Sequence, residues 1–185
     1  MANIKERLDK VRSLIKDKDF LLGKGLSNEV NIRIFCYDVE DEMTVRHFLD
    51  QMSNDSSLGC NLRICNLYDM FLEVCDDMGI TEEISEMEKN DEHDWLLNQL
   101  NNAIGHDCFI AKLQEKIGDD GNVIMLTGVG EVYPFMRVHS LLEAMQPYFP
   151  DIPILVMYPG EFNGRQLKLF NRLTPNDYYR AFNVI

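Results

Sequence analysis

Apolar residues recur along this chain with two alternating periods. Four short runs, Ile32–Tyr37 (IRIFCY), Leu62–Leu67 (LRICNL), Val123–Leu126 (VIML) and Ile154–Tyr158 (ILVMY), read as strands. The last two are apolar almost without a break, as expected of strands covered on both faces. Elsewhere the spacing changes to three and four. Ile4, Leu8, Val11 and Ile15 stripe a helix over residues 3–18. Met43–Met52 follows the same rule, and so does Leu67–Met78, with Tyr68, Phe71, Leu72 and Cys75 facing inward and Gly79 as its stop. Residues 81–117 carry no strand pattern. Ile84, Met87, Trp95, Leu96 and Leu100 are helically spaced in two pieces broken near Asn90-Asp91, and Asp107 offers a cap for a helix over Cys108–Ile117. A helix to about Gln146, a Pro147–Pro153 connector and a short helix over Gly164–Leu173 follow, with Tyr178–Ile185 as a last strand or extended tail. Strands alternating with helices predict one α/β domain over residues 1–185. It is three-layered, with a mainly parallel sheet of about five strands and a helical insertion near 81–117.

Asn122–Leu142 organises the rest: a buried strand, a glycine turn, then the opening of a helix. Gly128 and Gly130 bracket Val129 and allow backbone angles that other residues rarely adopt, while Pro134 suits a first helical turn. A second unit repeats this grammar, with Ile154–Tyr158 followed by Pro159-Gly160 and then Glu161–Arg165. If both strands are parallel neighbours, the two loops share the carboxyl end of the sheet, where open α/β folds place their ligands. The specific surface is expected there. Tyr133, Arg137 and His139 are its contact candidates from the first loop; Tyr158, Glu161, Phe162 and Arg165 are those from the second. Tyrosine and arginine are frequent interface anchors.

Charge narrows the partners. The net charge of −13 is uneven: residues 38–94 hold 17 acidic and 3 basic side chains, against 4 acidic and 5 basic from Arg137 onward. Such a field opposes approach to a polyanion, so direct DNA binding reduces to a local contact by Arg165, Lys168, Arg172 and Arg180. No run of about 18 apolar residues offers a membrane span. The charged start, MANIKERLDK, is not a signal peptide, and five cysteines without a regular framework fit reduced thiols. A cytoplasmic protein is expected.

Catalytic and cofactor chemistry finds little support in the residue pattern. Gly128-x-Gly130 lacks the third glycine of a dinucleotide loop, since position 133 is Tyr, and no Lys-Ser or Lys-Thr pair follows. Gly23-Lys24-Gly25 is a turn rather than a phosphate loop. His139 and Ser140, adjacent on a helix, are expected to point about 100° apart and so not to pair as base and nucleophile. Cys60 and Cys65 fall on opposite faces of a strand, and His106-Asp107-Cys108 has no second ligand pair, so no metal is expected. Asp76-Asp77 and Asp119-Asp120 read as solvated. Tyr178, Tyr179, Arg180 and Phe182 read as a strand packed on the domain.

Several long strings carry a resemblance: LTGVGEVYPFMRVHSLL (126–142), MYPGEFNGRQLKLFNRL (157–173), NDYYRAFNVI (176–185), GKGLSNEVNIRIFCYD (23–38) and NLYDMFLEV (66–74). Together they resemble the BrxB family of BREX bacteriophage-exclusion systems. The chain departs from that pattern in having Val39 where proline is expected and Glu143 where asparagine is expected. The resemblance implies a small, required component of a multi-protein antiviral defence assembly. Its companions there are a phosphatase-like PglZ protein, a DNA methyltransferase and a large ATPase, and no reaction is assigned to it. The expectation is a non-catalytic adaptor, without cofactor, whose first partner is PglZ, with the methyltransferase or ATPase next and a homodimer left open. The alternative is a degenerate nucleotide-binding or nucleotide-sensing domain that keeps an NTPase-like sheet.

Overall fold

A computed structural model describes residues 3–23, 31–90, 93–119, 122–163, 166–173 and 183–184. Helix α1 (Ile4–Ile15) starts at Asn3, whose side chain accepts the Lys5 N–H at 3.2 Å. A single turn, α2 (Lys18–Leu21), precedes β1 (Ile32–Tyr37). After a 3-10 turn at Val39–Asp41 come α3 (Glu42–Ser53), β2 (Leu62–Asn66) and α4 (Leu67–Asp77). The insertion is helical throughout its described part: α5 (Thr81–Lys89), α6 (His93–Ala103) and α7 (His106–Ile117). Strand β3 (Val123–Thr127) leads to α8 (Val129–Val132) and α9 (Val138–Met145). Strand β4 (Ile154–Phe162) leads to β5 (Leu167–Leu169), and β6 (Asn183–Val184) is the last described strand.

The main sheet is parallel, in the order β2-β3-β4-β1-β6. Ile154 lies opposite both Ile124 and Ile32, and Tyr37 lies opposite Pro159. The central strands therefore finish level with one another, and their carboxyl ends form a single rim. Strand alternation divides the core. Ile32, Ile34, Ile124, Leu126, Ile154 and Val156 face the helices from α4 to α9, whereas Phe35, Met125, Leu155 and Met157 face α1 and α3. These are the three expected layers. The chain runs from β1 to the far edge through α3 on one face and returns through β3 and β4 with helices on the other. A reversal of lateral direction swaps faces when all crossovers share the right hand.

Helix α1 shows how the thinner layer is held. Leu8, Val11 and Ile15 are buried against the sheet, and the Arg7 guanidinium sits 4.7 Å from the Phe35 ring centroid while donating to the Cys36 carbonyl at 2.5 Å.

Four sequence expectations need correction. Residues 166–173 form no helix: β4 runs on past Pro159 to Phe162, and β5 folds back antiparallel, pairing Gly160 with Leu169 and Phe162 with Leu167. The reversal is closed by Asn163, whose N–H donates to the Gln166 carbonyl and whose side chain accepts the Gln166 N–H at 2.8 Å. Pro134 is not in a first helical turn but follows a cis bond from Tyr133, between α8 and α9. Of the two glycines flanking Val129, only Gly128 takes a left-handed φ, +71°. Leu72 and Trp95 are 43% and 49% exposed, because the inward stripe of α4 runs through Met70, Phe71 and Val74 and that of α6 through Leu96 and Leu100. Tyr178, Tyr179, Arg180 and Phe182 lie outside the described residues, as do Lys24 and Gly25. Asn183 and Val184 pair parallel with Arg33 and Ile34, so the end of the tail does carry strand.

Candidate functional site

The rim is where the connection leaving β1 goes to one face and that leaving β3 goes to the other, with β4 between them. This is the switch point of an open α/β sheet. Loops from three strands meet there in a polar network. Tyr37 donates from its hydroxyl to Glu42 at 2.7 Å, and the Arg46 Nε donates to the other Glu42 oxygen at 2.8 Å. The Arg46 guanidinium also bonds Glu131, which follows the glycine turn of β3. Asn66 at the end of β2 donates to Glu131 at 3.1 Å and caps α4 by accepting the N–H groups of Tyr68 and Asp69. The Glu42/Arg46 pair, four apart on one helix face, is legible in sequence. Its link to Glu131, 85 residues further on, is not.

Burial works against the Glu131 charge, but the hydrogen bonds from Arg46 and Asn66 outweigh it and hold the carboxyl below its usual range. A depressed carboxyl contributes stability that is present above its unfolded pKa of 4.5 and disappears as pH falls through its folded value. The stability difference between wild type and Glu131→Gln should therefore shrink between about pH 7 and about pH 3, read from urea midpoints. A difference that stayed constant would mean that the network lends Glu131 nothing. The same carboxylates bear on the nucleotide alternative. A phosphate laid on Gly128–Gly130 would meet Glu131 and Glu42, with Arg46, the one cation lining that crevice among the described residues, already bonded to both.

Beside this network lies a groove of about 380 Å³. Val129, Met136, Val138, Leu167, Leu169 and Leu173 give it apolar walls; Tyr133, Arg137, His139 and Tyr158 give it polar groups. Arg137 is exposed and ends 5.8 Å from the Tyr133 ring centroid. Tyr158 is 3% exposed and forms part of the floor. Four of the seven contact candidates thus share one hollow. Glu161 is exposed on the β4 overrun, 3.9 Å from Lys168, and Phe162 packs partly buried against the core. Arg165 lies outside the described residues, as does Arg180 of the suggested DNA contact. Lys168 is turned toward Glu161, and Arg172 is exposed.

His139 and Ser140 do bond, contrary to the angular argument: the Ser140 hydroxyl and His139 Nε2 are 3.1 Å apart. They open α9, where a long side chain can curl back over its neighbour's shorter one. Burial lowers the His139 pKa; Glu143 opposes that shift, while Arg137 and His106 add to it, so the ring is neutral at neutral pH. His139 borders the groove and Ser140 does not. The pair orients the imidazole without presenting a nucleophile. Among the described residues no three His, Cys, Asp or Glu side chains gather to hold an ion. Burial pushes the Cys36 thiol up to about 12 and raises those of Cys65 and Cys75, so these are packing groups. No helix among the described residues is long and apolar enough to cross a membrane.

Comparison with known proteins places this rim in a lineage. The chain is 33% identical to a BREX protein BrxB of Bacillus cereus (strain H3081.97), covering all of this chain and 99% of that one. It is 28% identical to a BREX protein BrxB of Escherichia coli O9:H4 (strain HS), covering 97% of this chain and 90% of that one. No solved structure matches. The family model described as BREX protein BrxB matches residues 63–184, a span that contains both loops of the groove, and the chain therefore belongs to the BrxB family.

Proposed function

We propose that this BREX component is a non-catalytic adaptor that docks another protein of the defence assembly in the rim groove. The supporting observation is the gathering of Tyr133, Arg137 and His139 among apolar walls at the sheet's switch point. Aromatic and guanidinium groups around an apolar-walled hollow are what a protein anchor residue grips. The groups that a reaction would need do not converge there. Ser140 does not line the hollow, burial raises the Cys36, Cys65 and Cys75 thiols, and the carboxylates of the adjacent crevice are tied to Arg46.

The phosphatase-like PglZ protein is the partner to test first, with the methyltransferase and the ATPase as the next two, in the cytoplasm. Tyr133→Ala combined with Arg137→Ala should reduce co-purification of the bound partner by at least about ten-fold, since two anchors each contribute upward of roughly 1 kcal/mol. Both side chains are at least partly exposed, so the double variant should melt close to wild type. Full association of a properly folded double variant would remove the groove from consideration. Saturable heat on titration with ATP, GTP and magnesium would favour a nucleotide-sensing domain instead.

A further inference from the structure

The segment 166–173 stands off the main strand order, although Leu167 is buried in the core. Its strand β5 pairs with the overrun of β4, and the residues after it turn back across the rim. Phe170 and Asn171 both take left-handed φ values, 56° and 58°. Asparagine tolerates that region; a phenylalanine held there is strained. The Phe170 N–H donates to the Pro159 carbonyl at 2.8 Å, which aims its ring at Gly130 and Pro159. A Cβ on Gly130 would lie 2.5 Å from two ring atoms, so the absence of a side chain at Gly130 is what makes the slot. Asn171 is held less well. Its Nδ2 reaches Asp38 at 3.4 Å, and its Oδ1 is buried with no hydrogen-bond partner.

Position gives this strained contact a consequence. Phe170 borders the crevice of about 210 Å³ between the Arg46–Glu131 network and Gly128, and also the open hollow beside Asp38–Glu40. Leu167, Leu169 and Leu173 of the same segment wall the 380 Å³ groove. One stretch of eight residues thus separates three hollows at the switch point, and the half-buried Phe170 ring borders two of them. We propose that residues 166–173 are a strap with a shut form, in which Phe170 fills the slot over Gly130 and Pro159, and an open form, in which the hollows merge and the slot accepts an aromatic side chain from another protein. Relief of the left-handed backbone favours opening; the contact of the half-buried ring with Gly130 favours closure. The choice of occupant rests on the docking reading, whereas the existence of the open form does not.

Hydrogen exchange of the intact protein, followed by mass spectrometry, tests the strap without any partner. Segment 166–173 should exchange at least about ten-fold faster than residues 154–158 of β4, as expected of a sub-global opening. Gly130→Ala should speed the strap further, because the added carbon displaces the ring that holds it shut, and should leave β3 and β4 protected. Asn171→Gly, which removes a buried unpaired oxygen from the shut form and suits the left-handed φ, should slow it several-fold. A strap that exchanges in step with β4, or that ignores both substitutions, overturns the proposal. The slot itself is tested with N-acetylphenylalaninamide at millimolar concentration, observed by ligand NMR. Phe170→Ala should bind it and wild type far less. Absence of binding to Phe170→Ala, or equal binding to both, would overturn the aromatic occupant.

Discussion

Gly128→Ala should lower the stability of this protein by about 2–4 kcal/mol, the sum of a left-handed alanine and a damaged helix cap. Gly128 has φ +71°, and a Cβ there would run into the side-chain oxygen of Asn66. That oxygen is already committed, accepting the N–H groups of Tyr68 at 2.8 Å and Asp69 at 3.3 Å to start α4. The other half of the same amide holds Glu131 at 3.1 Å. One methyl group therefore strains the turn after β3, uncaps α4 and loosens the rim network together. For a chain of this length the loss corresponds to a fall in Tm of roughly 5–15 °C. Gly105→Ala controls for the collision, since nothing lies within 4 Å of a Cβ there, and should cost only the smaller penalty of alanine at the N-cap of α7. A double-mutant cycle with Asn66→Gly separates the causes: if the collision with Asn66 matters, the two changes together cost less than their sum. A Gly128→Ala protein melting within a degree or so of wild type would show that the turn is more forgiving than its geometry says.

The fold was largely legible because its signals are local. Val123–Leu126 and Ile154–Tyr158 announce buried strands by composition alone, and the stripe of Leu8, Val11 and Ile15 announces α1. Gly79, with φ +70°, stops the helix region after α4 as a C-terminal glycine should. What misled was a glycine read as a corner. Gly128 and Gly160 look alike in sequence, each following an apolar run and each taking a positive φ, yet a Cβ on Gly128 would meet the Asn66 side chain and one on Gly160 the backbone carbonyl of a paired strand. No local pattern distinguishes the two needs. The Arg46–Glu131 bond and the Phe170–Gly130 contact were invisible for a related reason. Each joins residues 40 or more positions apart, and their pairing exists only once the sheet order is known. The groove residues, by contrast, were reachable from the single premise that parallel strands end on a common rim.

Gly160→Ala is expected to strip β5 from the molecule while leaving the main sheet in place. The added carbon would overlap the backbone carbonyl of Lys168 and press on the Tyr158 ring. A side-chain tip can rotate away from such a contact, as the Phe170 ring can from Gly130; a strand carbonyl held in a two-stranded ladder cannot. The pairs Gly160–Leu169, Glu161–Lys168 and Phe162–Leu167 must therefore part. Leu167, 2% exposed, loses its cover, which forfeits about 1.5–3 kcal/mol of burial. Because Leu167 and Leu169 are also walls of the groove, the same change should cost a partner docked there as proposed most of its hold, with association falling more than about ten-fold if upward of 1.4 kcal/mol of contact is lost. The sheet itself draws on Ile154–Met157, which pair with β1 and β3 and do not involve the hairpin. Far-ultraviolet circular dichroism should thus change little while hydrogen exchange over residues 166–173 becomes unprotected. If Gly160→Ala kept β5 protected and the partner bound, the close approach of the two strands would not be what shapes the rim.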